Sequence, residues 1–182
     1  MKMSNKPQIL LDADVLIHLF KAEKISILID LFKGRECILD VVVDELRGNP
    51  TIKSALDSIF IFSGIKEIIF PTTSNEAMFG EFVGLKDQIT GDGERATLLF
   101  CKYNHNIIAS SNTSDIIPYC ELHSIGYLTT IDIFCIAIHN GIMDEKEVNQ
   151  LIKLILFNKS YLCCHNFEDH FRNHFNRDKY LY

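Results

Sequence analysis

"QILLDADVLIHLF", residues 8–20, sets an apolar run, Ile9 to Leu11, directly before two carboxylates, Asp12 and Asp14, and a second apolar run directly after them. The first run is short and continuous, as in a strand buried on both faces, whereas the second has the spacing of a helix. A buried strand that hands over to a helix opens a β–α unit, and repetition of that unit builds a parallel sheet.

The alternation continues along the chain. Apolar or β-rich runs at "QILL" (8–11), "ECIL" (36–39), "EIIF" (67–70), "NIIA" (106–109) and "GYLT" (126–129) end in polar or turn residues. Helical spacing covers 14–21, 24–33, 41–47, 51–62, 74–87, 92–104, 113–123, 130–140 and 145–157, with a polar last helix near 166–176. Asp144 stands three residues before Glu147, as in a capping box, and Gly141 suits the end of the preceding helix. Together these elements predict a three-layer α/β/α sandwich with a five-stranded, mainly parallel sheet.

With 182 residues, 47% hydrophobic and 23% charged, the chain suits one core. No repeat, low-complexity tract or linker divides it, so 1–182 is read as a single domain with a polar C-terminal helix from about 165. Its apolar runs stop short of the roughly 20 residues that span a membrane. "MKMSNKPQ" at the start lacks the pattern of a secretory signal, so the expected setting is the cytoplasm, with no membrane. Six cysteines, at 37, 101, 120, 135, 163 and 164, are scattered without a CxxC pair and read as reduced core thiols. The net charge of −6 argues against nonspecific coating of nucleic acid, but not against an enzyme that grips phosphate through a metal ion.

Ligands of open parallel sheets sit beyond the carboxyl ends of the strands, so the acids found there matter most. Asp12, embedded between apolar runs, is the functional candidate of the first pair; helix capping accounts for Asp14. In "ILDVVVDELRG" (38–48) the stripe Val42, Val43 and Leu46 faces inward, Glu45 borders it, and Asp44 lies further round. In "TGDGERATLLF" (90–100) Asp92 has the look of an N-cap and Glu94 falls in the first helical turn. "NIIASSNTSDI" (106–116) offers Asn112 and Asp115 at capping-box spacing, and "YLTTIDIF" (127–134) does the same with Thr129 and Asp132. Three or four carboxylates in one crevice repel strongly unless a cation neutralises them. Hard oxygen donors without His or Cys point to Mg²⁺ or Mn²⁺.

The order "LLDADVLI", "VVVDELRG", "GDGERATLL", "IIASSNTSDI" resembles PIN-domain proteins, metal-dependent ribonucleases that include toxins of bacterial and archaeal toxin-antitoxin pairs. The likeness covers roughly residues 8–160. It implies an Mg²⁺- or Mn²⁺-dependent endoribonuclease whose metal-binding catalytic acids are Asp12, Glu45 and Glu94, with RNA as substrate and an antitoxin protein or a second copy of the chain as partner. Where many relatives carry one or two Asp residues at the end of the fourth strand, this chain has Ser110, Ser111 and Asn112. Asp115 is then the candidate fourth acid, Asp132 is an alternative, and the set is incomplete if neither serves. Ser110, Ser111, Asn112 and Thr129 are candidate phosphate or water contacts.

Rival readings remain. "DADV" also fits the opening motif of haloacid-dehalogenase-like phosphatases, with Asp12 as nucleophile and Asp14 as general acid. A PIN-like fold kept as a noncatalytic binding module would explain "ASSN". The tail "YLCCHNFEDHFRNHF" invites a zinc site from Cys163, Cys164, His165, His170 and His174, although Phe167, Phe171 and Phe175 at four-residue steps predict aromatic packing instead. Lys21, Lys24, Arg47 and Arg95 are candidates for steering substrate, or else solvated surface charge.

Overall fold

The computed structural model describes residues 6–50, 52–162 and 167–175. Five strands, β1 (Ile9–Leu11), β2 (Glu36–Leu39), β3 (Lys66–Ile68), β4 (Ile107–Ala109) and β5 (Gly126–Leu128), form one sheet in the order β3-β2-β1-β4-β5. All four pairings are parallel, with Ile9 opposite both Glu36 and Ile107. The expected sandwich is present, and its sheet is wholly parallel. Every residue of β1, β2 and β4 is buried, which is why these strands read as unbroken runs and not as alternating ones. The edge strand β3 instead exposes Lys66 and Glu67, charges that discourage a further strand from pairing there.

The helices are α1 (Ala13–Lys21), α2 (Ile27–Phe32), α3 (Asp40–Gly48), α4 (Leu56–Ser63), α5 (Glu76–Gly84), α6 (Asp92–Asn104), α7 (Thr113–His123), α8 (Thr130–His139), α9 (Glu145–Phe157) and the short α10 (Phe167–Asp169). Leaving β1, the chain steps one way across the sheet to β2 and β3; from β3 it returns past β1 to β4 and β5. Right-handed crossovers therefore put α1 and α2 on one face and α6 and α7 on the other. In agreement, α8 packs on α1 and α2, α9 packs on α1, and α6 packs on α5 and α7. The buried apolar side chains on the two faces, Leu16, Leu98 and Phe134 among them, form one continuous cluster.

Some boundaries differ from the spacing-based expectation. The stretch 51–62 divides into a 3-10 turn, Lys53–Ala55, and α4, which Gly64 ends in the left-handed region at φ 67°. The stretch 74–87 shortens to α5, because the Asn75 side chain accepts the Met78 N–H and fixes the start of the helix. After α10 the backbone runs on as a π turn, His170–His174. Phe167, Phe171 and Phe175 stack there at ring separations of 5.9 and 6.0 Å. Of the zinc candidates, Cys163, Cys164 and His165 lie outside the described residues, and His170 bonds Asp132. Cys37, Cys101, Cys120 and Cys135 are buried. Among the described residues no helix is long and apolar enough to cross a membrane.

Candidate functional site

Strand order reverses between β1 and β4, so a crevice opens beyond their carboxyl ends, where ligands of doubly wound sheets bind. Asp12 leaves β1 at this point. Its N–H donates to the Ala109 carbonyl at 2.9 Å, which extends the β1–β4 ladder by one residue. Its carboxylate accepts the Ala13 N–H at 2.8 Å, so Asp12 itself caps α1.

Capping was the sequence-based account of Asp14, and the structure reverses it. Asp14 sits in the first turn of α1 and reaches across to the end of β4. The Ser111 N–H donates to Asp14 Oδ2 at 2.7 Å, the Val15 N–H donates to Oδ1 at 2.6 Å, and the Ser110 hydroxyl lies 3.5 Å from Oδ2.

Helix α3 begins at the end of β2. Asp40 holds it there, accepting the Val41 and Phe70 N–H groups at 2.9 Å each and tying α3 to the end of β3. Asp44 pairs with Arg47 at 2.7 Å in solvent, as its place on the helical wheel implied. Glu45 instead points to α6, where its Oε1 accepts the Gly93 N–H at 2.8 Å. A Cβ at position 93 would lie 2.5 Å from Glu45 Oε2, so any side chain there must displace the Glu45 carboxylate.

The N-cap of α6 is Gly91, not Asp92. Asp92 is one residue inside the helix and pairs with Arg95. Arg95 is buried, and its guanidinium donates to the Ile89 and Thr90 carbonyls at 2.6 and 3.1 Å while lying 4.8 Å over the Phe82 ring. This lock fixes the loop that leads into α6 and so the direction of Glu94. Glu94 is only 6% exposed; its Oε2 accepts from Asn112 Nδ2 at 3.2 Å, and its Oε1 is buried without a partner.

Asn112 occupies the N-cap position of α7, yet its side chain makes no cap bond. Its Nδ2 donates to Glu94 Oε2 and, at 3.0 Å, to Asp115 Oδ2, so one neutral amide bridges two acids in place of the expected capping box. The alternative fourth acid is engaged elsewhere. Asp132 Oδ2 accepts the Thr129 N–H and hydroxyl at 2.8 and 2.7 Å, and its Oδ1 lies 2.9 Å from His170 Nε2. Behind the crevice, Ser111 Oγ bonds Thr130 Oγ1 at 2.8 Å, and Thr130 Oγ1 bonds His18 Nδ1 at 2.9 Å.

Acids from α1, α3, α6, α7 and the end of β1 thus surround one crevice. Burial, then the charges of Asp14 and Glu94, push the Asp12 carboxyl well above the carboxylate range. Burial raises Asp14 to about 6 against the opposing pull of the Ser111 and Val15 N–H groups. Glu94 is pushed up to about 8 by burial first, then by Asp115, Asp14 and Glu45, with Asn112 opposing. Burial leads in all three, and repulsion between the acids adds to it for Asp12 and Glu94. Among the described residues, no three His, Cys, Asp or Glu side chains form a ready-made metal cage.

The candidate steering cations are engaged away from the acids. Lys21 bonds the Asn158 carbonyl and Ser160, Lys24 pairs with Glu147, Arg47 pairs with Asp44, and Arg95 is buried. Sequence reasoning placed Asp12, Glu45, Glu94 and Asp115 around one crevice. It gave Asp14 to helix capping, Asn112 to capping or phosphate and water contact, and Arg95 to substrate steering or solvated charge; the structure instead ties Asp14 to Ser111, Asn112 to Glu94 and Asp115, and Arg95 to the loop before α6. No protein-family model matches this chain, and no curated protein matches it in sequence.

Proposed function

We propose that the chain is a metal-dependent ribonuclease of PIN type, cutting RNA phosphodiester bonds in this crevice. One observation carries the reading: Asp12, Glu45, Glu94 and Asp115, delivered by separate elements, converge at the switch point of a parallel sheet, where Glu94 keeps a buried oxygen without a partner. A buried carboxylate oxygen without a hydrogen-bond donor fits a divalent cation, and the donors are the hard oxygens that Mg²⁺ and Mn²⁺ prefer. Asp12, Glu45 and Glu94 would hold the ion, with Asp115 beside them. When bound, it would supply charge neutralisation at the phosphate and acidify water for attack.

The chain's own contribution is positioning. The Ala13 and Gly93 N–H groups hold Asp12 and Glu45, and the Arg95 lock aims Glu94. Asp115, half-buried in the first turn of α7, is exposed enough to take a proton from an attacking water at its carboxylate. Asn112 is exposed at the start of α7, where its amide can meet phosphate oxygens, while the buried Ser110 hydroxyl supports Asp14 and the Asn112 N–H. A net charge of −6 makes a bridging cation the economical way for such a surface to grip RNA. The reading extends to a cytoplasmic protein whose partner, an antitoxin or a second copy, restrains the activity by covering the crevice.

One observation favours a noncatalytic binding module: a neutral amide already bridges Glu94 and Asp115. The phosphatase reading leaves Glu45 and Asp115 without a task. A Mn²⁺ titration, then RNA cleavage beside a phosphatase substrate, separates the three. Nuclease function requires Mn²⁺ binding and Mn²⁺-dependent RNA cleavage that Asp12→Asn abolishes without unfolding the protein. Turnover of the phosphatase substrate alone, or no binding at millimolar Mn²⁺, overturns it.

A further inference from the structure

We propose that Asp14 is a direct ligand of the divalent cation, supplying from α1 the carboxylate that the end of β4 lacks. The inference rests on the metal-dependent reading above and adds a residue to it. Strand β4 runs out into Ser110, Ser111 and Asn112, three neutral side chains. The Asp14 carboxylate lies at that same strand end, fastened by the Ser111 N–H at 2.7 Å, with the Ser110 hydroxyl at 3.5 Å.

Three features suit the group to a metal. The first is placement: the Asp12 N–H bonds Ala109, the Ser111 N–H bonds Asp14 and the Asn112 amide bonds Glu94, so neighbouring residues at the end of β4 hold the three acids together. The second is independent of charge. Glu94 Oε1 is buried with no hydrogen-bond donor, and a buried carboxylate oxygen left bare calls for a cation. The third is spare capacity. Asp14 Oδ1 accepts one short bond, from the Val15 N–H, and retains a further lone pair, while Oδ2 takes the Ser111 N–H and the more distant Ser110 hydroxyl. Those two N–H groups also fix the rotamer, as the outer partners of metal ligands do.

The experiment measures Mn²⁺ affinity by electron paramagnetic resonance and calorimetry on the full chain, as wild type, Asp14→Asn and Asp12→Asn. Asparagine keeps an acceptor for the Ser111 N–H and removes the charge. The expected result is an affinity loss of about tenfold or more in Asp14→Asn, with an unchanged circular dichroism spectrum. Wild type that binds no Mn²⁺ overturns the metal-dependent reading itself. Wild type that binds, with Asp14→Asn equal to it and Asp12→Asn impaired, overturns the role of Asp14 alone. If Asp14→Asn fails to fold, Mg²⁺ titration of ¹³C-carboxyl-labelled wild type decides: ligation moves the Asp14 Cγ signal together with those of Asp12 Cγ and Glu94 Cδ. An unmoved Asp14 signal while the other two shift overturns the proposal.

Discussion

Replacing Glu94 with Gln tests the electrostatics of the crevice without relying on catalysis. Burial and neighbouring charges raise this carboxyl from its ordinary 4.5 to about 8, so the folded, metal-free protein favours the protonated acid. The unfolded chain ionises freely above 4.5. Stability from this group is therefore full below that value and declines as pH rises through the folded value. At pH 7 the interval is about 2.5 units, worth about 3 kcal/mol, and screening at the open mouth reduces it to about 2 kcal/mol. Gln carries no such cost. Its carbonyl can accept from Asn112, and its NH₂ can take the place of the unpartnered oxygen and donate toward the acids. Metal-free Glu94→Gln should thus melt about 4–8 °C above wild type at pH 7. At pH 5 the difference should shrink to about a third or less, because the interval there is about half a unit. Saturating Mn²⁺ should invert the order, since binding at a hundredfold excess over Kd adds about 2.7 kcal/mol to wild type alone. Scanning calorimetry in chelator and in Mn²⁺, at both pH values, measures all four differences. A variant that melts at or below wild type in chelator at pH 7, or one whose advantage is the same at pH 5, refutes the reasoning.

Other perturbations follow from single contacts. Burial, then Lys21, depresses His18 to about 4 from 6.5, so the fold prefers the neutral ring, and stability held above 6.5 is lost as pH falls toward 4. His18→Gln, which can still bond Thr130, should flatten the urea-unfolding profile in that window, removing on the order of 3 kcal/mol of pH dependence; parallel profiles would sink the assignment. Gly93→Ala forces its Cβ to within 2.5 Å of Glu45 Oε2 and should cut RNA cleavage at least about tenfold through a displaced Glu45. Its melting point should stay close to wild type, because alanine returns about 1 kcal/mol of helix propensity. Asn112→Asp replaces the bridging amide with a third carboxylate, so it should lower the metal-free melting point and raise Mn²⁺ affinity. Unchanged affinity in a folded Asn112→Asp protein would show that the amide does not stand in for charge.

The fold was legible because burial leaves a plain trace in sequence. A strand covered on both faces has no polar positions, so Ile9–Leu11 and Ile107–Ala109 stand out as runs, and the helices between them follow the 3.6 period. Helix ends were less legible, because caps are settled by single side chains. Asp92 looked like an N-cap, yet its carboxylate is claimed by Arg95 from one turn ahead. Asn112 and Asp115 had capping-box spacing, but the amide turned toward Glu94, a residue on another helix. Asp12 and Asp14 were told apart by local rules, although both carboxylates lie in the crevice and only the register of β1 against β4 decides what each one meets.

Hydrogen bonding separates the acids of this crevice more sharply than charge does. Asp12, Asp14 and Glu45 each accept a backbone N–H, so each is oriented and compensated by the fold itself. Asp115 is half-buried and shares the Asn112 amide. Glu94 alone combines deep burial with an oxygen that nothing satisfies. A protein that needed Glu94 only for its helix would gain stability by replacing it with a neutral residue, since an acid in a first turn is worth about 1 kcal/mol at most at an exposed site. Here burial and three like charges cost more than that. The Arg95 lock nonetheless holds the loop that aims Glu94 inward, so the strain belongs to the architecture and not to one misplaced side chain. Such an arrangement is stable in proportion to what neutralises it, and its free energy is therefore tied to the concentration of a small cation.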